Sequence, residues 1–343
     1  QVASGTAQIV IGTHAIIQQG VTFAKLGLAV VDEQHRFGVL QRKTLVEKGY
    51  RPDVLVLTAT PIPRTLAMTV YGDLDVSVID EMPPGRKPVR TFLLRDSQRG
   101  RAYQILRDEL RRGRQAYVVY PLVEESEKTD LQAAMQGAEQ LQADELAEFR
   151  VGLVHGRMQS EEKERVMASY KRGEIQVLVS TTVVEVGVDV SNATVMMIEH
   201  AERFGLAQLH QLRGRVGRSE QQSYCLLMAS WVSGGKGASG GMGVTGQRGN
   251  GSPRSPHPPF PLPPSSHPSS PSSPARERLE ALVRSTDGFV IAEEDLRIRG
   301  PGEFFGFRQW GIPEFRVANL VRDAGLLQQA RQEAFALLKQ DPQ

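Results

Sequence analysis

The sequence predicts an α/β protein built on parallel sheets, arranged as two such units, the first truncated, followed by a small helical region. Three observations carry this prediction. Seven short apolar runs recur without polar alternation, as strands buried on both faces of a parallel sheet require. Helix-like polar stretches separate them, which is the rhythm of βαβ units. Apolar residues make up 40% of the 343 positions and charged residues 23%, enough for a full core in each unit.

Taken in order, AQIVIG (7–12), LGLAVV (26–31) and DVLVLTA (53–59) predict the strands of the first unit, residues 1–85. The stretch EMPPGRKPVR (81–90) holds three prolines and reads as a linker. The second unit, 86–230, takes strands from QAYVVYP (115–121), VGLVHG (151–156), IQVLVST (175–181) and TVMMIEH (194–200). Its crossover helices fall at 100–112, 138–149 and 159–172. Composition then collapses over 231–275, where Gly, Pro and Ser supply 29 of 45 residues. Such a segment cannot bury a core, so disorder is expected. Order resumes in 276–343 with ARERLEALV, then DLRIRGPGEFFGFRQWG, then helical periodicity over 317–339.

Several classes are excluded early. A single cysteine, Cys225, permits neither an intrachain disulfide nor a cysteine-based zinc site. No apolar run reaches the ~18 residues of a membrane span, so a soluble protein is expected. Net charge is +2, which tolerates a nucleic-acid partner without demanding one. The chain opens QVASG rather than with Met and has no leader pattern, so it is expected to be an excerpt of a longer protein.

The residues able to do chemistry stand at strand ends, where loops of a parallel sheet converge on a crevice. Asp32 and Glu33 end the run 26–31; such a pair can hold Mg²⁺ through one member and orient a water with the other. It can equally cap the next helix. Thr58, Ala59 and Thr60 end the following run, either relaying contacts between strand tips or starting a helix with Pro63 in its first turn. In the second unit, Thr181, Thr182, Gly187 and Asp189 lie just past a buried strand. The stretch HQLRGRVGRSEQ (210–221) then sets Arg213, Arg215 and Arg218 around Gly214 and Gly217. Guanidinium forks match phosphate oxygens, whereas a solvated loop is the plainer reading. Three arginines so close would repel unless an anion sat among them. An acidic pair on one unit and an arginine cluster on another fit nucleoside triphosphate hydrolysis.

Together these stretches resemble superfamily 2 helicases, and within them the RecG family of DNA branch-migration helicases. The carriers are DEQHRFGV (32–39), TATPIPRTLA (58–67), STTVVEVGVDV (180–190), QLRGRVGR (211–218) and RIRGPGEFFGFRQWG (297–311). The resemblance covers nearly the whole chain outside 231–275. It implies two RecA-like lobes, the first truncated, and a translocation region after the second. It implies ATP and Mg²⁺ as cofactors, with Asp32 holding Mg²⁺ through water and Glu33 activating the hydrolytic water. Arg215 and Arg218 would reach the γ-phosphate, with Arg218 as the finger, and Gln211 would organise their loop. Gln34, His35, Thr58, Ala59, Thr60, Gly187 and Asp189 would couple nucleotide to DNA. Thr13, His14, Thr181, Thr182, Arg299, Gly300, Arg308 and Gln309 would lie along the DNA. The implied partners are branched double-stranded DNA and a single-stranded DNA-binding protein. The implied protein is a monomer in the bacterial cytoplasm at the nucleoid, or in a plastid or mitochondrion of a eukaryote.

Two departures from that pattern matter. The phosphate loop GxxxxGK[ST] is absent from these 343 residues, as is the wedge domain expected before it. The chain alone is therefore expected not to hydrolyse ATP, which leaves a catalytically dead DNA-binding fragment as one alternative. The insert 231–275 is the second departure, as a tolerated loop or as translated intron. The transcription-repair coupling factor Mfd is the other alternative, set aside because its type carries DEEQRFGV where this chain reads DEQHRFGV.

Overall fold

The computed structural model describes residues 1–18, 20–32, 44, 48–49, 52–59, 75–121, 127–181, 190–230, 273–299 and 323–340. By internal contacts the chain divides into two compact units. One comprises 1–89, 205–222 and 281–343; the other comprises 90–204 and 223–280.

The first unit contains a two-stranded parallel sheet, β1 (Leu28–Val31) and β2 (Asp53–Val56), with Leu28 beside Asp53 and Val31 beside Val56. Ala29 and Val31 are buried against Ile17, which belongs to a short helical turn at His14–Ile17. Between Val31 and Asp53 runs a 21-residue connection, long enough for the crossover that parallel pairing requires. The predicted strand at 7–12 is not one. Ile9 and Ile11 are 83% and 93% exposed, and no described strand lies beside them. An apolar run becomes a strand only where a ladder partner satisfies its backbone. Residues 75–89 carry no helix or strand, and the next strand begins at Arg90.

The second unit is a six-stranded sheet with every neighbouring pair parallel, in the order β3 (Arg90–Arg95), β8 (Tyr224–Ala229), β7 (Ala193–Ile198), β4 (Gln115–Tyr120), β6 (Val177–Thr181), β5 (Val151–Val154). Its central strands read as continuous apolar runs because both faces are covered. On one face Ala116, Val118, Val177, Val179, Val195, Met197, Leu226 and Met228 pack with Ala102, Leu106 and Leu110 of helix α1 (Arg99–Arg111) and Ala138 of α2 (Glu127–Gln140). On the other, Tyr117 meets Tyr170 of α3 (Ser160–Lys171), ring centroids 5.1 Å apart, and the Tyr170 hydroxyl donates to the Ala116 carbonyl at 3.1 Å. The predicted α/β class is thus observed. The second crossover helix starts eleven residues before the predicted 138, at Glu127, and ends in a π-helical turn at Leu141–Glu145.

Helices α1 and α3 stop for the same reason. Gly113 and Gly173 both take φ +77°, a left-handed conformation that costs a Cβ-bearing residue energy. Each amide then reaches back three residues, to Leu110 and Tyr170, and the next amides reach Glu109 and Ser169. In the last turn of α1, Glu109 is only 2% exposed. It accepts from Arg112 and Arg114, each at 2.6 Å, and from the Thr194 hydroxyl at 3.0 Å, locking the amino-terminal edge of the sheet.

Four more helices complete the described fold: α4 (Leu206–Arg213), α5 (Pro274–Arg284), α6 (Gly288–Arg299) and α7 (Ala324–Gln340). Helix α5 begins inside the predicted 231–275 insert. The rest of that insert, 231–272, lies outside the described residues.

Candidate functional site

The parallel register of β1 and β2 sets Asp32 and Thr58 at one carboxyl edge. The Leu57 amide donates to the Val31 carbonyl at 2.8 Å, so the two chains leave the sheet side by side. Asp32, Thr58 and Ala59 are all exposed there. Glu33, Gln34, His35 and Thr60 lie outside the described residues. Thr13 is exposed and immediately precedes the His14–Ile17 turn.

Helix α4 carries the arginine stretch, and its three arginines do not share one environment. Arg213 is 4% exposed. Its guanidinium donates to the carbonyls of Leu282 and Ser285, each at 2.8 Å, and of Thr286 at 3.4 Å. These are last-turn and post-helical carbonyls of α5, acceptors that a helix C-terminus leaves open and that favour a cation. The expected mutual repulsion of Arg213, Arg215 and Arg218 around an anion is therefore corrected for Arg213, whose charge faces backbone carbonyls. Arg215 and Arg218 are half-buried, and Arg218 Nε donates to the Gly214 carbonyl at 3.2 Å. Gly217, at φ +76°, makes that turn; a Cβ there would stand 2.6 Å from Val89 Cγ2. Gln211 is half-buried on the same helix.

At the opposite end of α4, a Cβ on Gly205 would stand 2.6 Å from an Arg299 guanidinium nitrogen. Arg299 is paired with buried Asp295 at 3.0 Å. Since α4 starts beside the end of α6 and ends beside the residues preceding α6, the two helices run antiparallel. His210 lies between them near Asp287. Burial, then the Arg213 charge, push its pKa down to about 4 against the opposing pull of Asp287. Sequence reasoning missed Arg213 and His210 as structural groups. The available signal was their place beside Leu209 and Leu212, which mark a buried helix face.

The carboxyl edge of the six-stranded sheet holds a polar row. Register places Tyr120 beside Thr181 and Val154 beside Ser180, so His155 follows beside Thr181. The Glu199 amide donates to the Val119 carbonyl at 2.9 Å, extending the ladder so that Glu199 stands beside Tyr120. His155, Thr181, Tyr120 and Glu199 thus form one row on the α1–α2 face, because in-register neighbours project alike. Thr181 is 1% exposed, and neither its hydroxyl nor His155 Nδ1 has a hydrogen-bond partner among the described residues. Desolvation holds the His155 pKa below the usual imidazole range. The Tyr120 hydroxyl is driven well up by burial and by the Glu199 charge.

Glu199 is 3% exposed and is gripped by Arg99 of α1, Nη1 to Oε1 at 2.5 Å and Nη2 to Oε2 at 3.0 Å. Arg99 also donates to Asp96 at 3.0 Å, and Asp96 accepts from Ser230 at 2.7 Å. A second fork joins Arg203 to buried Asp130 at 2.8 and 3.1 Å. Between the two lies His200, at φ 48° and ψ 47°, a conformation that an imidazole-bearing residue seldom adopts. Sequence reasoning assigned none of these residues. Of the other α1 arginines, Arg107 pairs with Glu145 at 2.8 Å and Arg111 with Glu148 at 2.7 Å, while Arg101 lies over the Phe92 ring at 5.3 Å. Thr182, Gly187, Asp189, Gly300, Arg308 and Gln309 lie outside the described residues. Among those described, no three of His, Cys, Asp or Glu converge to hold a metal, and no helix is long and apolar enough to cross a membrane.

Comparison with known proteins covers the same ground. The helicase conserved C-terminal domain family matches residues 101–220. The family described as ATP-dependent DNA helicase RecG, domain 3, C-terminal, matches 285–343. The ATP-dependent DNA helicase RecG of Synechocystis sp. is 47% identical over 342 residues, covering 100% of this chain and 36% of that protein. The Acidithiobacillus ferridurans protein of that name is 50% identical, covering 99% of this chain and 44% of its own length. A solved structure of RecG bound to a three-way DNA junction superposes with a TM-score of 0.63 at 44% identity, over 95% of this chain and 37% of that one. The chain thus spans 36% to 44% of the length of these relatives.

Proposed function

The chain belongs to the RecG family of ATP-dependent DNA helicases, as a C-terminal portion, and on that premise we propose that it is the distal part of a motor that uses ATP hydrolysis to remodel branched DNA such as stalled forks and Holliday junctions. One observation carries the reading. Arg213, inside the region that matches the helicase C-terminal domain, is hydrogen-bonded to the Ser285 carbonyl, the first residue of the region that matches RecG domain 3. A direct bond between the arginine helix and the translocation region is the connection a nucleotide-driven DNA motor needs.

The residue roles are those the family resemblance implies. Asp32, exposed at a strand end, suits a water-mediated Mg²⁺ contact, and Glu33 follows as the base toward the hydrolytic water. Arg215 and Arg218 are the cations for the γ-phosphate, with Gln211 organising their loop, and bound ATP would supply the free energy for translocation. The residues present do not form a complete nucleotide site, because no phosphate loop cradles the β- and γ-phosphates. Gln34, His35, Thr58, Ala59, Thr60, Gly187 and Asp189 then serve coupling. Thr13, His14, Thr181, Thr182, Arg299, Gly300, Arg308 and Gln309 serve the DNA track, where backbone contacts position without reading sequence. A monomer working at the nucleoid beside a single-stranded DNA-binding protein completes the proposal.

The match of residues 285–343 to RecG's own third domain favours this reading over a translocase of Mfd type. The missing phosphate loop favours one second reading, a fragment that binds DNA without turning over ATP. Titrating the chain into a labelled three-way junction and into unbranched duplex of equal length tests the proposal. Salt-sensitive binding that favours the junction is expected, and no binding to either DNA would sink it.

A further inference from the structure

Helices α4 and α6 run antiparallel, and an arginine stands at each end of the pair. The two are used differently. Arg213 is 4% exposed and donates to the carbonyls of Leu282, Ser285 and Thr286, as a brace should. Arg299 keeps 36% of its side chain exposed. Among the described residues its guanidinium has one hydrogen-bond partner, Asp295, through Nε at 3.0 Å. Asp295 is itself buried, so that acceptor is fixed in place. The guanidinium also lies against Gly205, the residue that precedes the first turn of α4. The backbone there, φ −71° and ψ 153°, suits any residue, and the Gly205 amide is held by Gln208 Oε1 at 3.1 Å. Glycine is therefore present for room and not for conformation. Arg299 fills that room, its Nη2 only 2.6 Å from where a Cβ would stand. A guanidinium carries five N–H donors in a rigid fork that matches phosphate oxygens. One is spent on Asp295, which leaves the Nη donors for a ligand.

We infer that Gly205 and Asp295 are positioning residues for Arg299: the room left by one and the buried carboxylate of the other hold its fork in one pose for a phosphate of the DNA backbone. The inference rests on the DNA-motor reading above, which puts Arg299 along the DNA, and adds two residues that touch no DNA themselves. A mobile arginine gives up rotamer freedom when it grips a ligand, whereas a seated fork has given it up beforehand. A methyl group at position 205 meets the far end of a flexible side chain, so it moves the guanidinium rather than the backbone. G205A thus displaces the fork while leaving every charge in the chain unchanged.

The test is binding of the full chain to a labelled three-way DNA junction across a salt series, with thermal midpoints measured in parallel. R299Q is expected to weaken binding about tenfold, the worth of one hydrogen bond to a charged group. It should also make the slope of log affinity against log salt shallower by about one, because one phosphate loses its cation. G205A should weaken binding about fivefold, the cost of ordering a side chain that is no longer seated. G205A/R299Q should be no weaker than R299Q, the signature of one residue acting through another. D295A should weaken binding as G205A does, and D295N, which keeps an oxygen for Nε, should fall between D295A and the parent. Additive losses in the G205A/R299Q pair would overturn the inference, as would parent affinity in G205A or a parent salt slope in R299Q. A D295A protein that loses thermal midpoint but no affinity would remove Asp295 from it. If D295A fails to fold, the affinity of D295N against the parent decides for that residue. Failure of the parent chain to bind DNA at all would remove the motor reading and this inference together. Parent binding with an indifferent G205A removes only the inference.

Discussion

Arg213 Nη1 donates to the carbonyl oxygens of Leu282 and Ser285, both at 2.8 Å, and so ties the arginine helix α4 to the corner between α5 and α6. A buried guanidinium that satisfies several carbonyls cannot be replaced quietly. Arg213→Met leaves those acceptors desolvated, and should destabilise the chain by about 3 kcal/mol. Arg213→Lys keeps the charge but not the fork, and should lose about half as much. Urea unfolding of the three proteins measures this, and equal midpoints would refute the bracing role.

Two left-handed glycines separate backbone cost from packing cost. Gly173 has open space where a Cβ would stand, so Gly173→Ala should cost only the left-handed backbone term, about 1 kcal/mol. Gly217 shares the conformation but faces Val89 at 2.6 Å. Gly217→Ala should therefore cost roughly 2–3 kcal/mol, since the chain must shift as well as strain. Denaturant midpoints that rank the two variants the other way would contradict this account of the turn after Arg215.

What the sequence made legible follows from the range of the physics involved. Strands β4, β6 and β7 were readable because burial on both faces writes an unbroken apolar run. β3 went unnoticed because RTFLLR carries an arginine at each end and sits at the sheet's edge. Residues 7–12 misled for the converse reason, an apolar run without a ladder partner. At the site, Asp32 and Thr58 were legible as strand-end residues, a local signal. The Arg213–Leu282 bond spans 69 positions and the Arg99–Glu199 pair spans 100. No local pattern announces such partners, and a motif of clustered arginines says nothing of which one is turned inward.

The absent phosphate loop makes a prediction about turnover. With GxxxxGK[ST] missing, no lysine or nested amides hold the β- and γ-phosphates, and the remaining groups lack anything to position. ATP hydrolysis by the 343-residue chain should not rise above background even with saturating junction DNA. A DNA-stimulated ATPase that disappears on Glu33→Gln would contradict this and place the phosphate cradle within these residues.

Stability should also depend on pH through His210. In the folded chain burial and Arg213 push its pKa down to about 4, whereas in the unfolded chain it takes the ordinary value of 6.5. Between those values the unfolded chain binds a proton that the folded chain refuses. Stability is therefore fully present above about pH 6.5 and falls as pH drops toward 4, by up to about 3 kcal/mol. His200 works in the opposite sense. The Glu202 hydrogen bond raises its pKa, so it adds stability at low pH that is lost as pH rises through its folded value. Unfolding midpoints at pH 7.5, 6 and 5 should fall steadily for the parent chain. His210→Gln should flatten that decline, because the replacement cannot titrate, while His200→Asn should steepen it. A His210→Gln protein with the parent's pH profile would assign the acid sensitivity to other groups.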